Sequence, residues 1–439
     1  MGNGNEAPDV EQLAINGGPR VRTRPETPMF PGGLEVGQRE ADAVKRVIDS
    51  KRLIRFYGAD DPDDPGTSEA EELEKGFAQR MGTEYALGMT SCTASLITGL
   101  AALGVGPGDE VIVPAYTFIA SPSAVLAVGA IPVIADVDDT LTLDPASVEN
   151  EISPYTRAIM PVHMRGMSSD MDAITAIAGK HDLRVIEDCA QAVGAAYKGR
   201  PVGSIGDIGC YSLQMHKIIT TGEGGVLVTD DAELMFRAKC FHDSASEWRG
   251  AAWQDPDPSV RDSFQAFPGM NFRINEMVAA VGRVQLERLD GLRDTMRAYK
   301  SQLSKAVEDT GRVAQRRLTD DGGEVGTQLV FYTETNDLAR RVAAALTAEG
   351  VEGKVLYLDD EHDWHVYAWW RDILAKRSWN SQGYPFSMAK REIDYRADKL
   401  PRSLDLLSRA VLVNVPPQMS QDDVDETAEA LQKVITTLC

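Results

Sequence analysis

The chain has few cysteines, no long apolar run and no surplus of positive charge. Five of its 439 residues are cysteine, they stand far apart and form no Cys-x-x-Cys pair, so neither a disulfide framework nor a zinc knot is predicted. This sparse use of cysteine fits a reducing cytoplasm best. No stretch approaches the roughly eighteen apolar residues of a membrane helix, and the first residues lack a basic and an apolar signal region. We therefore predict no membrane span and no signal peptide.

Positive charge is outnumbered, because 45 lysines and arginines face 67 aspartates and glutamates, for a formal net charge of −22. A nucleic-acid backbone would be repelled by this field unless a local basic patch existed, and the sequence has none of useful size. We expect no nucleic-acid partner. The remaining composition, 43% hydrophobic and 26% charged, is typical of a folded protein with more than one small core.

Short apolar runs alternate with helical periods between residues 84 and 230. Strands this uniformly apolar, separated by helices, favour an α/β fold with a mostly parallel central sheet covered on both faces. In such folds ligands collect at the carboxyl ends of the strands.

The regions outside this alternation complete the predicted organisation. Residues 1–35 are rich in Gly, Pro and Arg and predict an extended N-terminal arm, laid on the body or on a neighbouring subunit. We expect a large domain over 36–280 and a smaller C-terminal α/β lobe over 281–439, joined by a periodic helix from Asn275 to about Asp309. Residues 242–270 lack a period, which is typical of a lid, a subunit contact or a disordered segment.

Ser91, Cys92 and Thr93 stand where the strand EYALGMT ends and a helix begins. Unpaired amides at a helix N-terminus, together with two hydroxyls, form an anion site suited to a phosphate. An ordinary helix cap is the alternative interpretation.

Two acidic residues, Glu187 and Asp188, end the apolar strand LRVIED. Burying such a carboxylate is costly unless a positive group meets it, and a protonated pyridine nitrogen would serve. The alternative is a strand-end cap or a salt bridge.

Lys217 lies after a strand and before the glycine-rich turn TGEGG. In a desolvated, cationic pocket its amine would lose its proton more readily and become a Schiff-base nucleophile. Otherwise it is an ordinary surface lysine. Ser212 could add a hydroxyl to the same phosphate, and His216 is expected to be structural because neighbours on an extended segment point opposite ways.

The three segments occur in the order phosphate loop, acidic strand end and lysine loop. With the motifs SCT, GDEVIVPAYTF, EDCAQ, GDIGCYSL, KIITTGEGG and NFR, the chain resembles the DegT/DnrJ/StrS family of pyridoxal phosphate-dependent sugar aminotransferases over nearly its whole length. The resemblance implies an aspartate aminotransferase-like (type I) fold, pyridoxal 5′-phosphate as cofactor, and a homodimer with shared active sites. No metal is expected.

The resemblance also implies a role for individual residues. Lys217 forms the Schiff base with the cofactor, Asp188 pairs with its pyridine nitrogen, Phe118 stacks on the ring, and Gln191 contacts the ring face or the 3-hydroxyl. The phosphate is held by Ser91, Cys92, Thr93 and Ser212, and by Asn271 of a neighbouring subunit.

Two positions depart from the family pattern. Cys92 replaces a glycine, which adds a side chain where the backbone approaches the phosphate, and Leu213 replaces a phenylalanine, a change in packing. Neither change removes a catalytic group.

The implied reaction moves an amino group from glutamate or glutamine to a keto-sugar or keto-cyclitol. The segments LAINGGPRVRTRP and WHVYAWWRDIL favour the cyclitol and antibiotic branch of the family. Candidates for lining the acceptor site are Arg55, Tyr57 and Arg273, from either subunit, and His163, for which a capped strand end is the alternative. The aromatic cluster Trp364, Tyr367, Trp369 and Trp370 favours core packing over a sugar pocket.

Two rival functions stay open. The scaffold could support a sugar dehydratase or other carbanion chemistry, although a histidine in place of Lys217 would be the sign of dehydration. A cofactor-binding regulator without turnover is the rival of another class, and it would not need a reactive amine beside the ring.

Overall fold

The computed structural model describes residues 12–55, 68–244 and 266–439. Tyr57 and most of the long segment at 242–270 lie outside the described residues, so the predictions for them stay predictions.

A seven-stranded, mostly parallel sheet forms the centre of the first part of the chain, as predicted. Its order is β1-β9-β8-β5-β4-β2-β3, and β9 runs antiparallel to both of its neighbours. The strands of this part, including the short hairpin β6–β7, are β1 Tyr85–Met89, β2 Glu110–Pro114, β3 Ile131–Ala135, β4 Thr156–Ile159, β5 Arg184–Asp188, β6 Ala196–Tyr197, β7 Arg200–Pro201, β8 Ile208–Ser212 and β9 Gly225–Thr229. Strands β2, β3, β8 and β9 are buried along their whole length, which explains their near-continuous apolar sequence.

Helices cover this sheet, and several begin where a side chain caps the first turn. The described helices here are α1 Gln38–Ser50, α2 Glu69–Met81, α3 Cys92–Ala102, α4 Ala120–Ala127, α5 Pro145–Glu151, α6 Met171–His181 and α7 Ala232–His242. First-turn amides donate to the side chains of Ser68, Ser91, Asp144, Asp170 and Asp231. Each cap supplies an acceptor to a helix end that otherwise has none.

A second, four-stranded antiparallel sheet forms the smaller part. Its order is β10-β11-β13-β12, with β10 Ala314–Gln315, β11 Gln328–Tyr332, β12 Lys354–Val355 and β13 Ala410–Asn414. Its helices are α9 Asn336–Glu349, α10 Arg371–Leu374, α11 Pro401–Arg409 and α12 Gln421–Leu438. Single 3₁₀ turns occur at Ala14–Asn16, Gly33–Glu35, Met164–Gly166, Tyr367–Trp369 and Phe386–Met388.

One long helix, α8 Glu276–Glu308, connects the two parts, close to the predicted bounds. It begins with Asn275, whose side chain accepts from the Val278 amide. Leu289 and Met296 belong to a core that also contains residues of α2, while Leu303 and Val307 belong to the core of the smaller part. The boundary predicted at residues 280/281 falls inside this helix, and we propose that both domains share it.

The described part of the N-terminal arm lies on the smaller part of the same chain. Leu13 is buried in its core, and the amides of Ala14 and Val21 donate to the Glu349 carboxylate at 2.8 and 3.0 Å. Arg22 is buried and pairs with Asp423 at 2.9 Å. These contacts fix the position from which the chain continues into residues 28–36.

All five cysteines are free, and four of them are buried. Within the described ranges, every helix is too short or too polar to cross a bilayer.

Candidate active site

A cavity of about 720 Å³ opens at the carboxyl ends of the parallel strands, between the two sheets. Eight of the nine residues expected to bind a cofactor line it: Ser91, Cys92, Thr93, Phe118, Asp188, Gln191, Ser212 and Lys217. These residues come from separate segments, and the sheet brings them together because β5 and β8 are parallel neighbours that end at this edge.

The N-terminus of α3 forms one end of the cavity. The Ser91 hydroxyl caps the helix by accepting from the Ala94 amide at 3.0 Å, so the cap interpretation is correct for this residue. Gly225 permits the close approach of β9, because a Cβ there would lie 2.4 Å from the Ser91 carbonyl carbon and 2.6 Å from the Cys92 nitrogen. Cys92 packs in the hydrophobic core, so the departure from glycine leaves the start of the helix in place.

Asp188 lines the cavity and is 4% exposed. Its Oδ2 accepts from the Ser121 hydroxyl at 2.7 Å and its Oδ1 accepts from the Ala190 amide at 3.0 Å. The Thr117 hydroxyl lies 2.7 Å from that of Ser121 and supports it. Burial raises the pKa of Asp188, against the opposing effects of these hydrogen bonds and of the nearby Lys217. A cationic partner in the cavity would relieve that cost.

Lys217 projects into the same cavity from the loop after β8. Its amide donates to the Gln214 carbonyl at 2.9 Å and its carbonyl accepts from the Gly32 amide at 3.3 Å, so the N-terminal arm holds the loop in place. Burial lowers the pKa of the Lys217 amine, and the positive charge of Arg165 lowers it further, while Cys92 and Asp188 act in the opposite direction. A lysine in this environment yields a free amine more readily than a lysine in water.

His365 also lines the cavity, on a segment that runs alongside the residues that follow β2. The Thr117 amide donates to the His365 carbonyl at 2.9 Å, and Val366 forms a bridge with Tyr116. The rings of Phe118 and His365 lie 5.4 Å apart. Phe118 is 46% exposed, so one side of its ring is available to a planar ligand.

His365 is held by Asp363, whose Oδ1 lies 2.8 Å from the histidine Nδ1. The second carboxylate oxygen pairs with Lys354 at 2.8 Å. Burial and the positive charges of Arg165 and Lys217 lower the pKa of His365, although Asp363 opposes them. The lowered pKa favours the neutral ring, in which Nδ1–H would donate to Asp363 and Nε2 would accept a hydrogen bond.

Arg165 and the second sheet complete the lining. Arg165 follows β4, and its Nε donates to the Tyr116 hydroxyl at 2.9 Å. From β11 and β13 come Gln328 and Asn414, whose side chains bond to each other at 3.2 Å. These groups give the cavity a cationic and an amide-rich side, away from α3.

His163 does not line the cavity, contrary to its expected role, because its side chain is fully buried behind β5. Its Nε2 bonds to Glu187 at 2.8 Å and its Nδ1 accepts from the Ser169 amide at 3.0 Å. Glu187 also accepts from the amides of Gly203, Ile205 and Gly206, at 2.7, 2.7 and 2.6 Å. Among the described residues, His163, Glu187 and Cys189 form the cluster whose ligand atoms lie close enough together for a metal. The ring nitrogens of His163 and the carboxylate oxygens of Glu187 are already used in these hydrogen bonds.

Arg55 and Arg273 also lie outside this cavity. Arg55 is 4% exposed and pairs with Glu74 at 2.5 Å, beneath β1. Arg273 pairs with Asp243. Both guanidinium groups have carboxylate partners within the chain, so neither lines this chain's own cavity. Their predicted contribution to the acceptor site of a neighbouring subunit stays a prediction.

Asn271 is exposed and is not part of its own chain's cavity. Its predicted contact with a neighbouring subunit stays a prediction. Within the aromatic cluster, Tyr367 and Trp370 are fully buried core residues, as expected, whereas Trp364 is 48% exposed.

Sequence reasoning missed Ser121, Arg165 and His365. Ser121 stands three residues after Phe118, in the first turn of α4, so its nearness to the motif GDEVIVPAYTF was the available signal. His365 could not have been placed from sequence, since it depends on the bridge between residues 116 and 366, which are far apart in the chain.

Comparison with known proteins identifies the family. Residues 38–382 match the model of the DegT/DnrJ/EryC1/StrS aminotransferase family. The spore coat polysaccharide biosynthesis protein SpsC of Bacillus subtilis is 31% identical over 402 residues, which cover 91% of this chain and 95% of that protein. The L-glutamine:2-deoxy-scyllo-inosose aminotransferase of Streptomyces lividus is 37% identical over 349 residues, which cover 77% of this chain and 79% of that enzyme.

Solved structures show the same fold. An aminotransferase from Psychrobacter cryohalolentis superposes with a TM-score of 0.76 at 30% identity, covering 94% of this chain and 100% of that one. The expected type I fold is thereby confirmed. Since the family match spans most of the chain and the cavity holds its motifs, the protein is an enzyme of the DegT/DnrJ/EryC1/StrS aminotransferase family.

Proposed function

We propose that the cavity binds pyridoxal 5′-phosphate and that the enzyme transfers an amino group from glutamine or glutamate to a keto-cyclitol or keto-sugar. The observation that carries this proposal is the convergence of a buried lysine amine, a buried carboxylate and a helix N-terminus in one cavity.

The residues fit this cofactor. The amides of Cys92 and Thr93 begin α3 and have no acceptor within the helix, and the hydroxyls of Thr93 and Ser212 line the same end of the cavity. A dianionic phosphate is stabilised by such donors and by the helix dipole. Asp188, whose two oxygens each accept one bond from the protein, retains acceptor capacity for a ring N–H.

Bound here, the cofactor would supply an aldehyde that condenses with amines and a ring that accepts electrons. Lys217 would provide the amine that holds the cofactor and, once displaced by the donor, would move the proton between the donor's α-carbon and the cofactor. Its lowered pKa suits this work, because only the unprotonated amine can take a proton.

Asp188 would keep the ring nitrogen protonated. Ser121 and the Ala190 amide fix the direction of its carboxylate, so the negative charge faces the cavity rather than the core. Phe118, with a half-exposed ring, would restrict the tilt of the bound ring.

The donor and acceptor classes are supported by the relatives and by the cavity wall. The Streptomyces lividus relative is named for L-glutamine and 2-deoxy-scyllo-inosose. Thr327, Gln328 and Asn414 present hydroxyl and amide groups, and His365 presents a neutral acceptor, which are partners suited to the hydroxyls of a cyclitol or sugar.

We also propose a homodimer with shared sites. Leu34, Val36, Ile54 and Met270 are 48%, 51%, 44% and 56% exposed, on segments that flank the cavity. Such large exposed apolar side chains favour burial against another chain. The exposed Asn271, next to Met270, would then be placed to reach a phosphate across the interface.

Light scattering tests the dimer, and mixed subunits test the shared site. Asn271→Asp would place a carboxylate against the phosphate of the neighbouring site, while Lys217→Ala disables its own site. Each variant alone is expected to be inactive or nearly so, and refolding them together should restore activity, because one site of the mixed dimer is intact. No recovery from a mixture that contains dimers would contradict sharing.

The function itself is tested with the purified protein and pyridoxal 5′-phosphate. We expect visible absorbance from a covalently held cofactor, conversion to the amine form of the cofactor by L-glutamine or L-glutamate, and return of the original band on adding a keto-cyclitol or keto-sugar. An unchanged spectrum with both donors would support a binding protein without turnover. A deoxygenated product without nitrogen would support the dehydratase.

A further inference from the structure

Arg165 presents a guanidinium group to the cavity without a carboxylate partner. Its Nε donates to the Tyr116 hydroxyl, and its guanidinium carbon lies 5.7 Å from the centre of the Tyr116 ring. Within the described ranges, no aspartate or glutamate oxygen lies within 4 Å of this group, whereas Arg316 and Arg317 nearby pair with Glu324 and with Asp138 and Asp139. Arg165 therefore has terminal N–H donors left for a ligand.

The backbone at Arg165 is left-handed, with φ 57° and ψ 42°. A glycine or an asparagine adopts this conformation with less strain than an arginine. The conformation is held by the Arg165 amide, which donates to Gln191 Oε1 at 3.3 Å, and by its carbonyl, which accepts from Arg316 at 3.4 Å. This turn directs Arg165 into the cavity, while His163 two residues earlier is buried.

The sheet order separates Arg165 from the proposed phosphate site. Arg165 follows β4, on one side of β5 and Asp188, whereas Ser212 ends β8 on the other side. Two strand spacings amount to about 10 Å, and the distance from β4 to β1, which leads into α3, is about 19 Å. The cofactor's phosphate is therefore not the anion that Arg165 would meet.

We propose that Arg165 binds the α-carboxylate of the amino donor. This inference rests on the proposed transaminase function and names the group that recognises the donor. A planar guanidinium matches a carboxylate in a two-point contact. In glutamine the α-carboxylate is the one anionic group, and it is attached to the carbon that must lie beside Lys217. Arg165 and Lys217 line the same cavity.

The test pairs a change in the enzyme with a change in the donor. Wild type, Arg165→Met and Arg165→Lys are compared with L-glutamine and with the diamide of L-glutamic acid, in which the α-carboxylate is a neutral amide. Spectral half-reactions give the donor constants. Arg165→Met loses the hydrogen bonds to the α-carboxylate of the donor. This loss should raise its KM for glutamine about 10- to 100-fold, with a smaller change in kcat. The donor KM of Arg165→Lys should lie between those of wild type and Arg165→Met, because lysine keeps the positive charge but lacks the planar contact.

The diamide distinguishes a donor contact from a structural effect. Arg165→Met and wild type should react alike with the diamide, because this donor has no α-carboxylate for Arg165 to bind. Arg317→Met is the matched control, since it removes the same charge from a half-exposed site paired with Asp138 and Asp139. Equal losses with both donors would show that Arg165 only shapes the cavity and would overturn the proposal, as would equal KM values for wild type and Arg165→Met with glutamine.

The acceptor half-reaction and an unreactive ligand complete the test. If Arg165 served a phosphate of a nucleotide-linked acceptor, Arg165→Met would slow return from the amine form with that acceptor and leave the glutamine reaction intact, which would also overturn the proposal. Glutarate carries carboxylates but no amine, and calorimetry should show it binding the cofactor-loaded wild type at least 10-fold more tightly than Arg165→Met. If the wild type reacts with neither L-glutamine nor L-glutamate, the proposed function is rejected. If the wild type reacts and Arg165→Met reacts equally well with glutamine, only the assignment of Arg165 is rejected.

Discussion

The two ends of the cavity are built in different ways. The end with α3, Asp188 and Lys217 is formed by short segments that directly follow strands of one sheet. The end with Arg165 and His365 combines a left-handed turn after β4, a segment paired with residues 115–119, and side chains of the second sheet. Under the proposed function, the first end would hold the cofactor and the second end would meet the substrates.

The largest effect is expected at the first end, from Lys217→Ala. Removing the amine removes both the covalent attachment of the cofactor and the proton carrier, so turnover should fall at least about 10⁴-fold. Absorbance spectra and turnover with glutamine measure the two losses. Lys180→Ala, which changes an exposed lysine paired with Glu149, is the control and should behave as wild type.

Asp188→Asn should have the next largest effect. It would leave a buried, protonated ring nitrogen without its carboxylate, and breaking a buried ion pair costs enough to slow turnover roughly 10²- to 10³-fold. Steady-state kinetics measure this loss, with the exposed Asp172→Asn as a control. Full activity of Asp188→Asn would show that this carboxylate does not face the ring.

His365→Gln should affect the second end alone. Glutamine lacks the ring Nδ1–H that donates to Asp363, so its amide oxygen is not held where the imidazole Nε2 lies. Displacing the acceptor for a substrate hydroxyl should raise the acceptor KM about 3- to 10-fold and leave the cofactor spectrum and the glutamine half-reaction unchanged. His181→Gln, on the surface beside Glu149, is the matched control. A weaker affinity for the cofactor in His365→Gln would remove the distinction between the two ends.

The smallest effect links the two ends through charge. Because the positive charge of Arg165 helps to lower the pKa of Lys217, Arg165→Met should raise that pKa. Lysine reacts only when unprotonated, so the rate at which the cofactor-free protein captures pyridoxal 5′-phosphate should rise with pH over a range that lies higher in the variant than in wild type. A profile that does not move, or moves to lower pH, would contradict electrostatic contact between these groups.

The first end could be predicted from sequence because each of its segments carries a local signal. A strand end, a hydroxyl cap or a glycine-rich turn is visible within a few residues, and the α/β alternation brings these signals to one edge. Helix α8 and the capped helices were predictable for the same reason, as at Asn275 and Asp170.

The second end could not be predicted, because its residues depend on contacts between distant segments. His163 and Arg165 follow the same strand, and only the left-handed turn decides that the arginine rather than the histidine reaches the cavity. Arg55 was a plausible ligand by residue type, but its placement beneath β1 with Glu74 follows from packing that no local pattern records.

Helix α8 makes the two lobes mechanically interdependent. Its 33 residues extend about 50 Å, and its two halves complete different hydrophobic cores. Unfolding of either core would remove the packing of half of this helix, so both lobes should unfold on heating in one cooperative step. A bend anywhere along the helix would alter the width of the cleft between the two sheets.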